Sequence, residues 1–125
     1  MLTGFYAAIL ALIFVGLSFR TLGIRRNKSI AIGDGGDERL QRAVRVHANF
    51  AEYVPIALIL MLLMEASEAP PYWVHGAGLS LLVGRCLHAY GVSQTKENYL
   101  FRVSGMVLTF AVLISAATRL LFQAL

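Results

Sequence analysis

The sequence predicts an all-α integral membrane protein, a four-transmembrane-helix bundle forming a single domain over residues 1–125. Two observations carry this. Hydrophobic residues make up 58% of the chain and charged residues 14%, against about half apolar and a quarter charged in soluble domains. The apolar residues also fall in long runs separated by short polar stretches. A soluble domain of this size buries too little of its chain to hide so much apolar surface, so lipid must cover the remainder.

The first helix is expected over about residues 2–26. Leu2 to Phe19 is free of charge, close to the roughly 20 residues a spanning helix needs. A secretory leader would begin with basic residues and end in a small-residue cleavage site. Here the basic residues Arg20, Arg25, Arg26 and Lys28 follow the apolar run instead. Gly33-Asp34-Gly35-Gly36-Asp37 then makes a turn. It is no phosphate loop, lacking a preceding strand and a Lys-Ser or Lys-Thr ending. It is no calcium loop either, since the required acidic positions are missing.

The second helix is expected over residues 37–66. Its uncharged part, Val54 to Met64, is too short to cross a bilayer alone, so a spanning helix must include some of the charged residues before it. Pro55 lies inside and removes one backbone donor, which membrane helices tolerate when neighbours re-satisfy the backbone. A loop at Ser67 to Pro71 leads to Tyr72 and Trp73, residues suited to the membrane interface. The third helix is expected over residues 72–92 and the fourth over 99–122, joined by a polar loop. Gly76, Gly78, Gly84 and Ser80, with Gly16 and Gly105, are candidates for close helix approach.

The net charge of +4 would suggest nucleic acid in a soluble protein, but here the placement of charge decides. Basic residues crowd the first and third connections, and the connection from Glu65 to Tyr72 has none. The positive-inside rule then puts the first and third connections in the cytoplasm and both termini on the opposite side, in a bacterial inner membrane. No nucleic-acid partner is expected. The single Cys86 excludes an intramolecular disulfide and reads as a packing residue. The three histidines lack ligand spacing, so no metal is expected.

The chemistry concentrates in Arg45-Val46-His47-Ala48-Asn49-Phe50-Ala51-Glu52-Tyr53. At about 100° per residue, Arg45, Asn49 and Glu52 share a helix face, with Arg42 on the same side. Ionisable groups at membrane depth are expensive and by default functional. A structural Arg–Glu pair would not need two arginines, an asparagine, a histidine and a tyrosine within three turns. The set suits a small zwitterion with more than one carboxylate: arginine forks carboxylates, asparagine donates and accepts, and glutamate holds an ammonium group.

The stretch Arg42 to Pro55, with its Arg-x-x-x-Asn-x-x-Glu-x-x-Pro pattern, resembles the second-helix signature of the MAPEG family, the membrane-associated proteins of eicosanoid and glutathione metabolism. Arg25-Arg26 at the end of helix one, Gly84 to Tyr90 in helix three, Arg102 in helix four and the Gly33 to Gly36 loop extend the resemblance, closest to small bacterial members similar to microsomal glutathione transferases.

The resemblance implies a homotrimer with glutathione bound between subunits near the cytoplasmic side. Arg45, Asn49, Glu52 and Tyr53 would hold glutathione, with His47 near the ligand, Arg26 reaching a carboxylate from helix one, and Arg85 and His88 contributing from helix three. Arg102 matches the arginine that activates the thiol. A free thiol is mostly protonated at neutral pH, and a nearby guanidinium favours the anion. The implied activity is a glutathione transferase or peroxidase acting on a lipophilic electrophile or hydroperoxide from the bilayer, with glutathione as co-substrate. His88 stands where leukotriene-synthase members have a tyrosine, which disfavours a leukotriene-specific role. The alternative is a non-catalytic membrane protein that binds glutathione or lipid, or scaffolds a partner.

Overall fold

The protein is described by a computed structural model covering residues 1–125. It is entirely helical: α1 Leu2–Lys28, α2 Glu38–Ala66, α3 Pro71–Ser93 and α4 Tyr99–Ala124. Local chemistry sets each boundary. α1 runs two residues beyond the expected end. It stops where Ser29 turns left-handed (φ 54°) and the Ile30 amide donates to the Arg25 carbonyl at 3.1 Å. Arg25, Arg26 and Lys28 occupy its last turn, where cations oppose the helix dipole. In the following turn Gly35 has φ 58°, and a Cβ there would lie 2.9 Å from Ile30 Cδ1, so glycine serves both conformation and space.

Asp37 is the N-cap of α2, its carboxylate accepting from the Leu40 amide at 2.8 Å. α2 then passes through Pro55 without a break. α3 opens with Pro71 in its first turn, where the missing donor costs nothing. Asn98 caps α4 by accepting from Leu100 at 3.0 Å. The first turn of α1 has no local cap. The Glu65 carboxylate, at the far end of α2, supplies one by accepting from the Leu2 and Thr3 amides at 2.6 and 2.8 Å.

Three helices, α1, α2 and α4, are long and apolar enough to cross a membrane. The sequence reading expected four. α3 has 23 residues, enough length for a span, but it carries Arg85, His75 and His88 and falls short in apolarity. Its neighbours cover much of that polarity, since both Arg85 and His88 are buried.

Only 26 of 125 residues are buried, and large apolar side chains such as Phe19, Ile59, Val107 and Ile114 are exposed, as lipid contact requires. Tyr6, Leu10, Phe50, Val54, Met61, Leu81 and Val112 form the main core. α1 packs on α2 and α3 and does not touch α4. α3 and α4 approach most closely. A Cβ on Gly105 would sit 2.5 Å from the Gly84 carbonyl oxygen and 2.6 Å from the His88 nitrogen. Gly78 makes room for the Tyr6 ring, whereas Gly16 and Gly76 have open space around them and play no such part within the chain.

Candidate functional site

The N-terminal turns of α2 and α4 and the C-terminal end of α3 meet at one end of the bundle. There Glu38, Gln41, Arg42, Arg45, Val92 and Arg102 line a cavity of about 280 Å³. Three guanidinium groups from two helices thus face one space. Glu97, from the α3–α4 connection, organises two of them. It pairs with Arg42 at 2.9 Å through one oxygen and with Arg102 at 3.4 Å through the other. Arg42 also donates to the Val92 carbonyl at 3.1 Å and pairs with Glu38 at 3.3 Å. Its fork is therefore fixed, while nearly half of the Arg102 side chain remains exposed.

Arg45 and Glu52 form a second pair at 3.7 Å, both side chains more than half exposed. They stand at the polar end of an outward face of α2 that continues as Ile56, Ile59 and Leu63. Exposed charge on such a face is costly in lipid unless something polar covers it.

Asn49 lies one turn from Arg45 but leans inward. Its amide oxygen accepts from Arg85 at 2.5 Å. Arg85 is buried among neutral acceptors. It also donates to the Thr109 hydroxyl at 3.1 and 2.7 Å and to the Met106 sulfur at 3.3 Å, with the Tyr53 ring 5.9 Å away. The guanidinium charge is thereby accommodated without a carboxylate. Its burial makes Arg85 part of the α2–α3–α4 packing rather than a solvated charge at the membrane surface.

Of the sequence-predicted site residues, Arg45 and Arg102 line the cavity, and Glu52 joins it through Arg45. Asn49, Tyr53 and Arg85 form the inner network, and His88 is buried beside Gly105 of α4. Two residues are not brought into this group. His47 turns toward α1, stacking on Phe14 with ring centroids 4.6 Å apart and bonding the Ser18 hydroxyl at 2.9 Å. Arg26 is exposed on α1, lining a separate cavity with Leu22, Arg25 and Ile30. Arg26 and Arg102 line separate cavities and so share no site within one chain. Cys86, expected to be packed, is exposed and unpaired.

Sequence reasoning missed Glu97, Thr109 and Gln41. Glu97 had a signal: it is the only acid after Glu68, in a half of the chain that holds Arg85, Lys96, Arg102 and Arg119. Thr109 had none, because its role arises only when α3 and α4 pack.

The MAPEG family model matches residues 3–122. The chain is 40% identical over 114 residues to inner membrane protein YecN of Escherichia coli K12, an alignment covering 91% of this chain and 86% of that one. The same figures hold for YecN of E. coli O6:H1 strain CFT073. No solved structure matches. With three helices fit to span, this is a multi-pass integral membrane protein.

Proposed function

The chain belongs to the MAPEG family, and from that membership we propose that it binds glutathione at the arginine-lined end of the bundle and acts as a glutathione transferase or peroxidase. The observation that carries this reading is the convergence of Arg42, Arg45 and Arg102 on one cavity beside the exposed Arg45–Glu52 pair. Glutathione has two carboxylates and an ammonium group. Guanidinium forks bind carboxylates, and Glu52 offers a counter-charge to the ammonium. A cavity of about 280 Å³ is at the lower limit for ligand sites. In our reading it is one wall of a larger site completed by a neighbouring copy in a homotrimer. That copy also covers the charged face of α2 and supplies Arg26 and the far side of the pocket.

Arg102 is the group we assign to thiol activation. Its exposed guanidinium stabilises the thiolate over the thiol. The sulfur then displaces the leaving group of a lipophilic electrophile from the bilayer, or attacks a hydroperoxide oxygen to release the alcohol, a second glutathione then forming the disulfide and water. Asn49, Tyr53, Arg85 and His88 act from behind, holding the α2, α3 and α4 geometry. By the positive-inside rule the site faces the cytoplasm.

The test is a glutathione titration of detergent-purified protein read by thiolate absorbance, with turnover of a model aryl halide. Arg102→Ala should lower turnover by about 100-fold or more, in the range for losing a charge-stabilising donor, while glutathione still binds. Unchanged turnover in Arg102→Ala would refute the assignment of Arg102. The Arg102–Glu97 contact favours a second reading, in which the arginine is neutralised and the protein binds glutathione without catalysis. Calorimetric binding with neither thiolate absorbance nor turnover would select it.

A further inference from the structure

A large cavity lies at the opposite end of the molecule. It has a volume of about 700 Å³ and is lined by Trp73, Ser115, Thr118, Arg119, Phe122 and Gln123. A second space of about 440 Å³ adjoins it, sharing Trp73 and Ser115 and reaching Gly76, Ala77, Ser80 and Val112. Together they form a groove between the first half of α3 and the second half of α4. Its chemistry is graded. The outer part carries a cation and hydroxyls, and the inner part is walled mainly by small and apolar side chains.

Arg119 is the polar anchor of the groove. Its guanidinium is held 5.3 Å from the Trp73 ring centroid. It takes part in none of the ion pairs, and its Nε is buried with no hydrogen-bond partner. Three other polar side chains at this end are committed elsewhere. Glu65 caps α1. The Gln123 amide donates to the Ser67 carbonyl at 2.8 Å and accepts from the Ser67 hydroxyl at 2.9 Å. Ser115 donates to the Val112 carbonyl at 3.2 Å. Arg119 and Arg102 are 17 residues apart on one helix, about 26 Å at helical rise. With a hydrocarbon core about 30 Å thick, they sit near opposite interfaces. An unpaired cation at an interface, above an apolar groove that descends toward mid-bilayer, is complementary to an anionic amphiphile.

We propose that the α3–α4 groove binds one anionic phospholipid, its phosphodiester on Arg119 beside Trp73 and one acyl chain lying along Gly76, Ala77 and Ser80. The site is separate from the glutathione site, and its test does not depend on that reading.

Trp73 is the only tryptophan and reports on the groove directly. The protein is reconstituted in phosphatidylcholine vesicles containing a minor fraction of brominated-chain lipid, either phosphatidylglycerol or phosphatidylcholine. The phosphatidylglycerol form should half-quench Trp73 at about fivefold lower mole fraction, the factor expected for one basic residue facing anionic lipid. Arg119→Gln should bring that ratio to about one. Gly76→Leu tests the chain-binding part without touching Arg119. A Cβ at Gly76 meets nothing within 4 Å and the residue lines the groove, so the leucine should occupy groove space and weaken quenching by both brominated lipids. Equal quenching by the two lipids in the unmodified protein, or a preference that survives Arg119→Gln, would overturn the proposal. So would loss of the preference on adding free glycerol phosphate, which would make the ligand a soluble anion. Absence of quenching by either lipid would assign the groove to a contact with a second copy, and the proposal would fail.

Discussion

Glu97 holds Arg102 at 3.4 Å with the carboxylate oxygen that it does not give to Arg42. Cations from α2 and α4 therefore share one acid whose side chain is 5% exposed. The arginine assigned to thiol activation is a partly neutralised cation, and Glu97 sets how much of its charge reaches the cavity.

Glu97→Gln removes that counter-charge and should leave the cavity more positive. The titration midpoint of bound glutathione, followed by thiolate absorbance against pH, is expected to fall by about 0.5 to 1 pH unit. That is less than the shift for a close buried pair, because Arg102 is about half exposed. An unmoved midpoint would mean that Arg102 does not govern the thiol.

Asn49→Leu strands one donor of the buried Arg85. Leaving such a group unsatisfied costs about 1–2 kcal/mol in membrane proteins, visible as a lower thermal midpoint in detergent. Adding Arg85→Met removes the stranded charge, and the double variant should be more stable than Asn49→Leu alone. If the two substitutions simply add, the Asn49–Arg85 bond is not the coupling that joins α2 to α3.

Gly105→Ala should separate α3 from α4. The new methyl group would meet backbone of Gly84 and His88 at 2.5 and 2.6 Å, and neither atom belongs to a side chain that can swing away. A loss of about 1–3 kcal/mol is expected. Gly16→Ala is the matched control: nothing lies within 4 Å, and the helix gains up to about 1 kcal/mol in propensity. Thermal melts of the pair should move in opposite directions.

Asp37 carries the pH dependence of the first connection. The Leu40 amide, then the nearby Lys28, hold its carboxyl below the usual 3.8. A depressed folded-state value means that its contribution is fully present above the unfolded value and is lost as pH falls through the folded one. The cap should therefore weaken only below about pH 4. Asp37→Asn keeps an acceptor for Leu40 and should remove that acid-side step from thermal midpoints recorded between pH 6 and 3. A step of the same size in the variant would place its origin elsewhere.

The helices were legible because their signals are local. Asp37, Ser67 to Pro71 and Asn98 punctuate the chain, and composition alone demanded lipid. The charged face of α2 was legible for the same reason, since helical period places Arg45 with Glu52. What periodicity cannot give is which side of a residue a neighbour will occupy. His47 sits two residues from both Arg45 and Asn49, yet Phe14 and Ser18 of α1 claim it. Arg85 was legible as a site residue of the third helix; that Thr109, from another helix, would be its acceptor was not. Glu97 lies in the polar connection, and no local pattern marks it, because its partners Arg42 and Arg102 lie on different helices.

The separation of α1 from α4 has a consequence in time. Tyr6, near the start of α1, bonds His75 of α3, 69 positions further along the chain, at 2.9 Å. At about 5–20 residues per second of synthesis, roughly 3–14 s pass between the emergence of these two residues. Throughout that interval the first helix made can rest only on α2 or on lipid. It needs nothing from α4, so its docking can finish before the last helix leaves the ribosome, and the two outer helices can join the bundle as independent events.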